Sequence, residues 1–226
     1  MKKSIIILIF LLNSISIFPQ SETWNSIGFE HGSLFHYSKS ANEENQIYYG
    51  SPGFNYNFYE FTNLSNFGMF AHQSLLFKNI INVINGDRNY NHIMDTCAAI
   101  GMGFRNFLTP DFIIKYAIGI SYILTQSNYM SNQDGRMLNN RTVEHSLGFA
   151  GDIGLKYDIK DAFFITIGTI IGFYFAKHMS VTSAISGYYN HESYWMEKYS
   201  MIRVSPYINF GINFYRENTI TGKPKR

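Results

Sequence analysis

Between Asp161 and Lys177 the chain reads DAFFITIGTIIGFYFAK, with no charge from 162 to 176, and that run restricts what the rest can become. As a helix it is too short for a membrane, because crossing hydrocarbon takes about 20 apolar residues. Its glycines at 168 and 172, its threonines at 166 and 169 and its β-branched isoleucines suit a pleated strand. Split by alternation, Phe163, Ile165, Ile167, Thr169, Ile171, Phe173 and Phe175 share one greasy face. The other face, from Phe164 through Gly168 and Gly172 to Ala176, is smaller and semi-polar. What kind of fold gives each face its proper solvent is the question for the whole chain.

The same alternation recurs at 24–37, 46–61, 67–78, 91–105, 112–124, 141–157 and 195–214. With 161–177 this makes eight segments, long for a soluble sandwich, whose strands run to about 5 or 6 residues. They suit tilted membrane strands with extensions. The connections at 62–66, 106–111 and 158–161 are short, whereas 38–45, 79–90, 125–140 and 178–194 are long and rich in Asn, Ser and Gly. A meander of eight strands puts both termini and all short turns at one end and all long loops at the other. The expected fold is therefore all-β, an eight-stranded antiparallel up-and-down transmembrane β-barrel.

Alternation alone leaves open whether the greasy face points in, as in a soluble lipocalin-like barrel, or out. The polar faces decide it: at mid-strand they carry mostly Gly, Ser, Ala and Asn and few charges, unlike a water-facing surface. Small side chains suit the crowded inside of a narrow barrel. Aromatics gather near strand ends, at Tyr48-Tyr49, Phe104, Phe107, Phe112, Tyr157 and Phe214-Tyr215, as in interfacial girdles.

Composition narrows the function. Charged residues at 15% and aromatics at 17% argue against disorder, and a net charge of +2 without a basic patch gives no case for a nucleic-acid partner. Met1-Lys2-Lys3, the apolar 5–12 and the polar, Pro-containing 13–21 have the layout of a cleavable secretory signal over 1–21. The barrel is expected over 22–215 and a short periplasmic tail over 216–226. Cys97, the single cysteine, forms no intramolecular disulfide.

The last segment, "YINFGINFY", with Asn209, Gly211 and Phe214, resembles the closing strand that the barrel-assembly machinery recognises, although Arg216 stands where an aromatic is usual. In architecture the chain resembles the small eight-stranded outer-membrane proteins of diderm bacteria, of the OmpA-transmembrane, OmpX and OmpW type. That resemblance implies the bacterial outer membrane, outer-membrane lipid and the assembly machinery as partners, and a non-enzymatic anchor for surface loops. An OmpW-like conduit for small or hydrophobic solutes is the alternative. A lipid A-modifying enzyme is a weaker one.

The inward charges are the candidate site. Glu30 and Arg203 fall near mid-height on the first and last strands, which closure makes neighbours, so a pair across the seam is expected. Lys115 and Asp152 share the periplasmic half of adjacent strands, and Asp95, Glu144 and Lys78 lie toward the outer half. Buried charges persist when paired, so these seven are expected to form a structural ion-pair network in the lumen.

Catalytic residues, metal ligands and cofactors are not expected. In "VEHSLG", His145 and Ser146 face opposite sides, while His191 and Ser193 could share one. His36, His92, His178 and His191 converge at the rim without metal-ligand spacing. An extracellular ligand, if the protein takes one, is expected at 38–45, 79–90, 125–140 or 178–194. Asn85-Gly86 is a hairpin signal that could carry 79–91 out as a ribbon.

Overall fold

The computed structural model describes residues 21–32, 37–39, 51–62, 65–84, 87–133, 136–160, 162–185, 188–196 and 199–216. They form strands β1 (Ser21–Gly32), β2 (Tyr37–Lys39), β3 (Ser51–Thr62), β4 (Phe67–Ile84), β5 (Asp87–Phe107), β6 (Phe112–Gln133), β7 (Arg136–Lys160), β8 (Phe163–Ile185), β9 (Tyr188–Trp195) and β10 (Ser200–Arg216). Around the barrel the order is β1, β3, β4, β5, β6, β7, β8, β10, every pairing antiparallel, and the sheet closes because β10 pairs with both β8 and β1. Ser21 pairs with Arg216, so both ends of the barrel chain lie with the three short turns. The proposed leader and tail fall on residues outside those described, apart from Ser21 and Arg216 themselves.

Period-two alternation becomes two solvents. Ile27, Phe29, Ile118, Ile120, Ile153, Ile167 and Phe210 stand out from the barrel, with Ile27 64% and Ile167 61% exposed. Glu30, Lys115, Asp152 and Arg203 are buried inside. This overturns the lipocalin-like alternative, in which the greasy face would be the interior. On β7 the outward apolar residues run from Leu147 to Ile159; at about 3.3 Å per residue and a tilt of about 40° that belt is roughly 30 Å tall, a hydrocarbon thickness. Near the short-turn end Phe67 meets Phe104 edge-on with ring centres 5.3 Å apart, Phe104 stacks on Tyr116 at 5.2 Å, and Phe112 meets Tyr157 at 4.6 Å.

Two expectations need correction. The long connections 79–90, 125–140 and 178–194 are not loops but continuations of the sheet: β4 and β5 pair up to Ile84 and Asp87, β6 and β7 up to Gln133 and Arg136, β8 and β9 up to Ile185 and Tyr188. Antiparallel backbones exchange hydrogen bonds whatever their side chains, so polar segments above the belt need no apolar face to pair. Only 79–91 carried a ribbon signal. Secondly, the first and last expected segments each fall on two described elements. The expected strand 195–214 divides between β9 and β10, with 197–198 outside the described residues, and Tyr199 packs inward with Cys97, Ile123, Tyr174 and Met201. The expected strand 24–37 splits into β1 and β2, with 33–36 outside the described residues; segment 40–50 lies outside them too.

Candidate functional site

The lumen is built as a stack of polar contacts on aromatic platforms. At its short-turn end Arg105 pairs with Glu22 and lies over the Phe61 ring at 4.6 Å, while the Trp24 indole N–H donates to Glu22 at 2.6 Å. Lys156 pairs with Asp158 and sits 4.4 Å from the Trp24 ring centre. Asn213 donates to the same Asp158 oxygen at 2.9 Å.

Further in, Asp152 accepts from three donors. The Lys115 ammonium and the Tyr59 hydroxyl converge on Oδ2, and the Tyr207 hydroxyl donates to Oδ1 at 2.7 Å. Lys115 is capped by the Tyr59 and Tyr207 rings at 4.4 and 5.1 Å. Tyr59 stands on β3 and Asp152 on β7, which are diametrically opposite in the strand order, so this hydrogen bond crosses the whole barrel. Trp24, Tyr59, Phe61, Phe70, Phe164 and Tyr207 belong to one buried cluster around it.

Gly154 and Gly168 face each other across β7 and β8 and give the Tyr207 hydroxyl its seat. A Cβ on Gly168 would lie 2.5 Å from Tyr207 Oη and 2.7 Å from the Ile153 carbonyl oxygen. The inward glycines of the uncharged stretch are therefore the complement of inward tyrosines.

The next layer joins the seam. Glu30 Oε1 lies 3.6 Å from Arg203 Nη2, and Glu30 Oε2 is 3.3 Å from both His72 Nε2 and the Asn55 amide nitrogen. His72 Nδ1 shares a 2.5 Å hydrogen bond with Asn57 Oδ1, and Arg203 Nε donates to Ser205 at 3.1 Å. At the outer end Lys177 pairs with Glu144 at 2.9 Å, Thr125 donates to Asp95 at 2.6 Å, and Tyr174 bonds Ser121 at 2.9 Å. Lys78 lies on β4 opposite Ile93, two residues from Asp95 on β5.

Of the seven expected residues, then, Glu30 meets Arg203 and Lys115 meets Asp152, whereas Asp95 and Glu144 take partners that sequence reasoning did not name. Also unnamed were the Glu22–Arg105 and Lys156–Asp158 pairs, His72, and the tyrosines at 59, 174, 199 and 207. Glu22 and Asp158 lie at strand ends that the expected bounds set three residues short, and strand ends are where alternation is weakest.

Among the described residues no group of three or more His, Cys, Asp or Glu could hold a metal. His36 lies outside them, and His178 and His191 are four residue pairs apart along the β8–β9 ladder. His191 and Ser193 do not bond each other: His191 bonds Thr182 at 3.1 Å, and Ser193 bonds His178 Nε2 at 2.9 Å. Glu144 and Ser146 point inward while His145 reaches Tyr122 on the outer face, so "VEHSLG" assembles no nucleophile and base.

No family model matches the chain, and no curated protein matches it. Solved structures do. A major outer membrane protein from Thermus thermophilus is 9% identical with a TM-score of 0.57, covering 84% of this chain and 99% of the other. The fold is that of a small outer-membrane β-barrel. The outer membrane protein OprG from Pseudomonas aeruginosa, 11% identical with a TM-score of 0.53, covers 86% and 96% in the same order. The outer membrane protease OmpT from Escherichia coli, at 8% and 0.49, covers 89% and 99%. With the exposed apolar belt, this fold makes the chain a membrane-integral barrel.

Proposed function

We propose that this outer-membrane barrel is a non-enzymatic anchor: a lumen closed by its own side chains carries rigid β-ribbons outward for surface contacts. The Tyr59–Asp152 hydrogen bond across the full width of the barrel carries this reading. A bore crossed by a buried hydrogen bond, with Lys115, Tyr207 and Phe164 buried around it, supports a lumen closed to a continuous water column. The seven expected charges, with Glu22, Arg105, Lys156, Asp158, His72 and Lys177, act in this reading as struts. Residues 1–21 serve as the secretory leader, and the barrel-assembly machinery inserts the folded body through β10.

The test is a planar-bilayer recording of the refolded chain. Silence, together with heat-modifiable migration that marks a folded barrel, is the expected result; steady single-channel steps overturn the closed-lumen reading. Expression is expected to leave lipid A unmodified, and a changed lipid A species overturns the non-enzymatic part.

A second reading, an OmpW-like conduit for hydrophobic solutes, rests on one observation. On the outer wall a groove of about 670 Å³ is lined by Phe29, Pro52, Phe54, Phe77, Pro206 and Ile208, in a region where β1 stops at Gly32 while β4 runs on to Ile84. Uptake of an apolar dye into vesicles that depends on Phe54 would favour it.

A further inference from the structure

The outward face at the upper edge of the lipid belt carries a row of four side chains in direct cross-strand register: Leu124 on β6, His145 on β7, His178 on β8 and Trp195 on β9. The two histidines are immediate partners, with ring centres 5.9 Å apart. Their meeting depends on a β-bulge. Leu147 pairs with Ala176 but Gly148 pairs with Tyr174, so Phe175 is an extra residue on β8. Without it the alternation that puts Phe173 outward would send His178 into the lumen; with it, His178 faces His145. Below the row are Leu147, Phe149, Phe173 and Phe175 of the belt, and above it Arg141, Ser180 and Thr182, so the pair sits where water and headgroups begin.

Each imidazole is held by one nitrogen and free at the other. His145 Nδ1 shares a hydrogen bond with the Tyr122 hydroxyl, and His178 Nε2 shares one of 2.9 Å with the Ser193 hydroxyl. Nε2 of His145 and Nδ1 of His178 have no partner among the described residues. This is the arrangement in which metal-binding histidines occur, one ring nitrogen donating to a fixed acceptor so that the other presents its lone pair. The Trp195 ring stands edge-on to His178 with centres 5.0 Å apart and limits its rotation. A transition metal about 2.0–2.1 Å from each nitrogen lies roughly 3 Å from each ring centre, so rings about 5–6 Å apart bracket one ion.

We propose that His145 and His178 form a two-histidine site for a divalent transition metal, Cu²⁺ or Zn²⁺, bound through His145 Nε2 and His178 Nδ1. Imidazole suits these ions, and Cu²⁺ stands highest in the divalent series. The remaining coordination positions are open to water or to an anionic group at the interface. The ion staples β7 to β8 at the point where the barrel passes from lipid into the ribbons.

Trp195 supplies the readout, because Cu²⁺ this close quenches its fluorescence and Zn²⁺ does not. The chain has only two tryptophans, and the second, Trp24, is buried at the far end of the lumen. The folded full-length barrel in detergent is titrated with Cu²⁺ and then back-titrated with Zn²⁺. The expected result is saturable quenching of about one tryptophan, relieved by excess Zn²⁺. His145→Ala and His178→Ala are each expected to raise the half-quenching concentration at least tenfold, His191→Ala to leave it unchanged. Both altered positions are on the outer face, so folding, checked by heat-modifiable migration, is expected to survive; His178→Gln repeats the test with a side chain nearer in size. Quenching that persists in the double variant, or that needs as much Cu²⁺ as free N-acetyltryptophanamide does, overturns the proposal.

Discussion

Two of the inward carboxylates of strand β7, Asp152 and Glu144, each take a lysine from an adjoining strand: Lys115 of β6 for Asp152, Lys177 of β8 for Glu144. The chemistry is the same and the surroundings are not. Side-chain exposure is 3% for Lys115 and 0% for Asp152, against 13% for Lys177 and 27% for Glu144. Asp152 is further bonded by two tyrosines, whereas Glu144 lies where Tyr199 and the ribbons meet water. Deep in a barrel an ion pair has to recover the whole cost of leaving water, which it does only with good geometry and further hydrogen bonds. At the mouth, water offsets part of that cost and screens the attraction. Depth, more than pairing, sets what a charge is worth here.

The largest expected effect tests the deep member. Lys115→Met leaves Asp152 buried with its tyrosines but no cation, and breaking a buried pair in this way costs about 3–5 kcal/mol. The urea midpoint of the folded barrel in lipid vesicles is expected to drop accordingly. The double variant Lys115→Met/Asp152→Leu removes both charges and should regain most of the loss, since apolar replacement of a whole buried pair is often neutral. A double variant no more stable than the single one would mean that the tyrosine platform, rather than the charge balance, holds this layer.

A smaller effect probes the seat of one of those tyrosines. Gly168→Ala brings a methyl group to 2.5 Å from Tyr207 Oη and 2.7 Å from the Ile153 backbone oxygen, and the backbone cannot step aside. Overpacking of this kind costs about 1–3 kcal/mol. Gly151→Ala on the same pair of strands is the control, because its new Cβ meets nothing nearer than the Ala117 oxygen at 3.4 Å. Equal midpoints for the two variants would show that Tyr207 is free to move and that Asp152 does not depend on it.

The parts of the molecule that were legible in the sequence are those squeezed between two solvents. From Phe163 to Phe173 every second residue meets lipid and the others a crowded lumen, so the period of two is enforced and the inward face of Lys115, Asp152, Glu30 and Arg203 follows from it. Above the belt both faces of a strand see water, the alternation relaxes, and 125–140 and 178–194 read as loops although they pair as ribbons. Partners escaped for a second reason: contacts such as Tyr59 with Asp152 join strands far apart in sequence, and nothing local to "NFYEF" signals that its tyrosine crosses the bore. The bulge at Phe175 was equally silent. A single inserted residue in an otherwise regular strand leaves composition unchanged while reversing every side chain beyond it.

The smallest expected effect is the most discriminating about solvent. Glu144→Gln removes the charge from the mouth pair while keeping its shape, and for a pair this accessible the loss is about 0–1 kcal/mol. Its size should also depend on salt. At about 1 M ionic strength the screening length falls to roughly 3 Å, so any difference between Glu144→Gln and the parent chain is expected to vanish, whereas the deficit of Lys115→Met is expected to persist. The two variants are compared by urea midpoints at low and high salt in the same vesicles. If the Glu144→Gln difference is large and indifferent to salt, Lys177 and Glu144 are shielded from water by the residues around Tyr199, and the lumen is closed at its mouth as firmly as at Asp152.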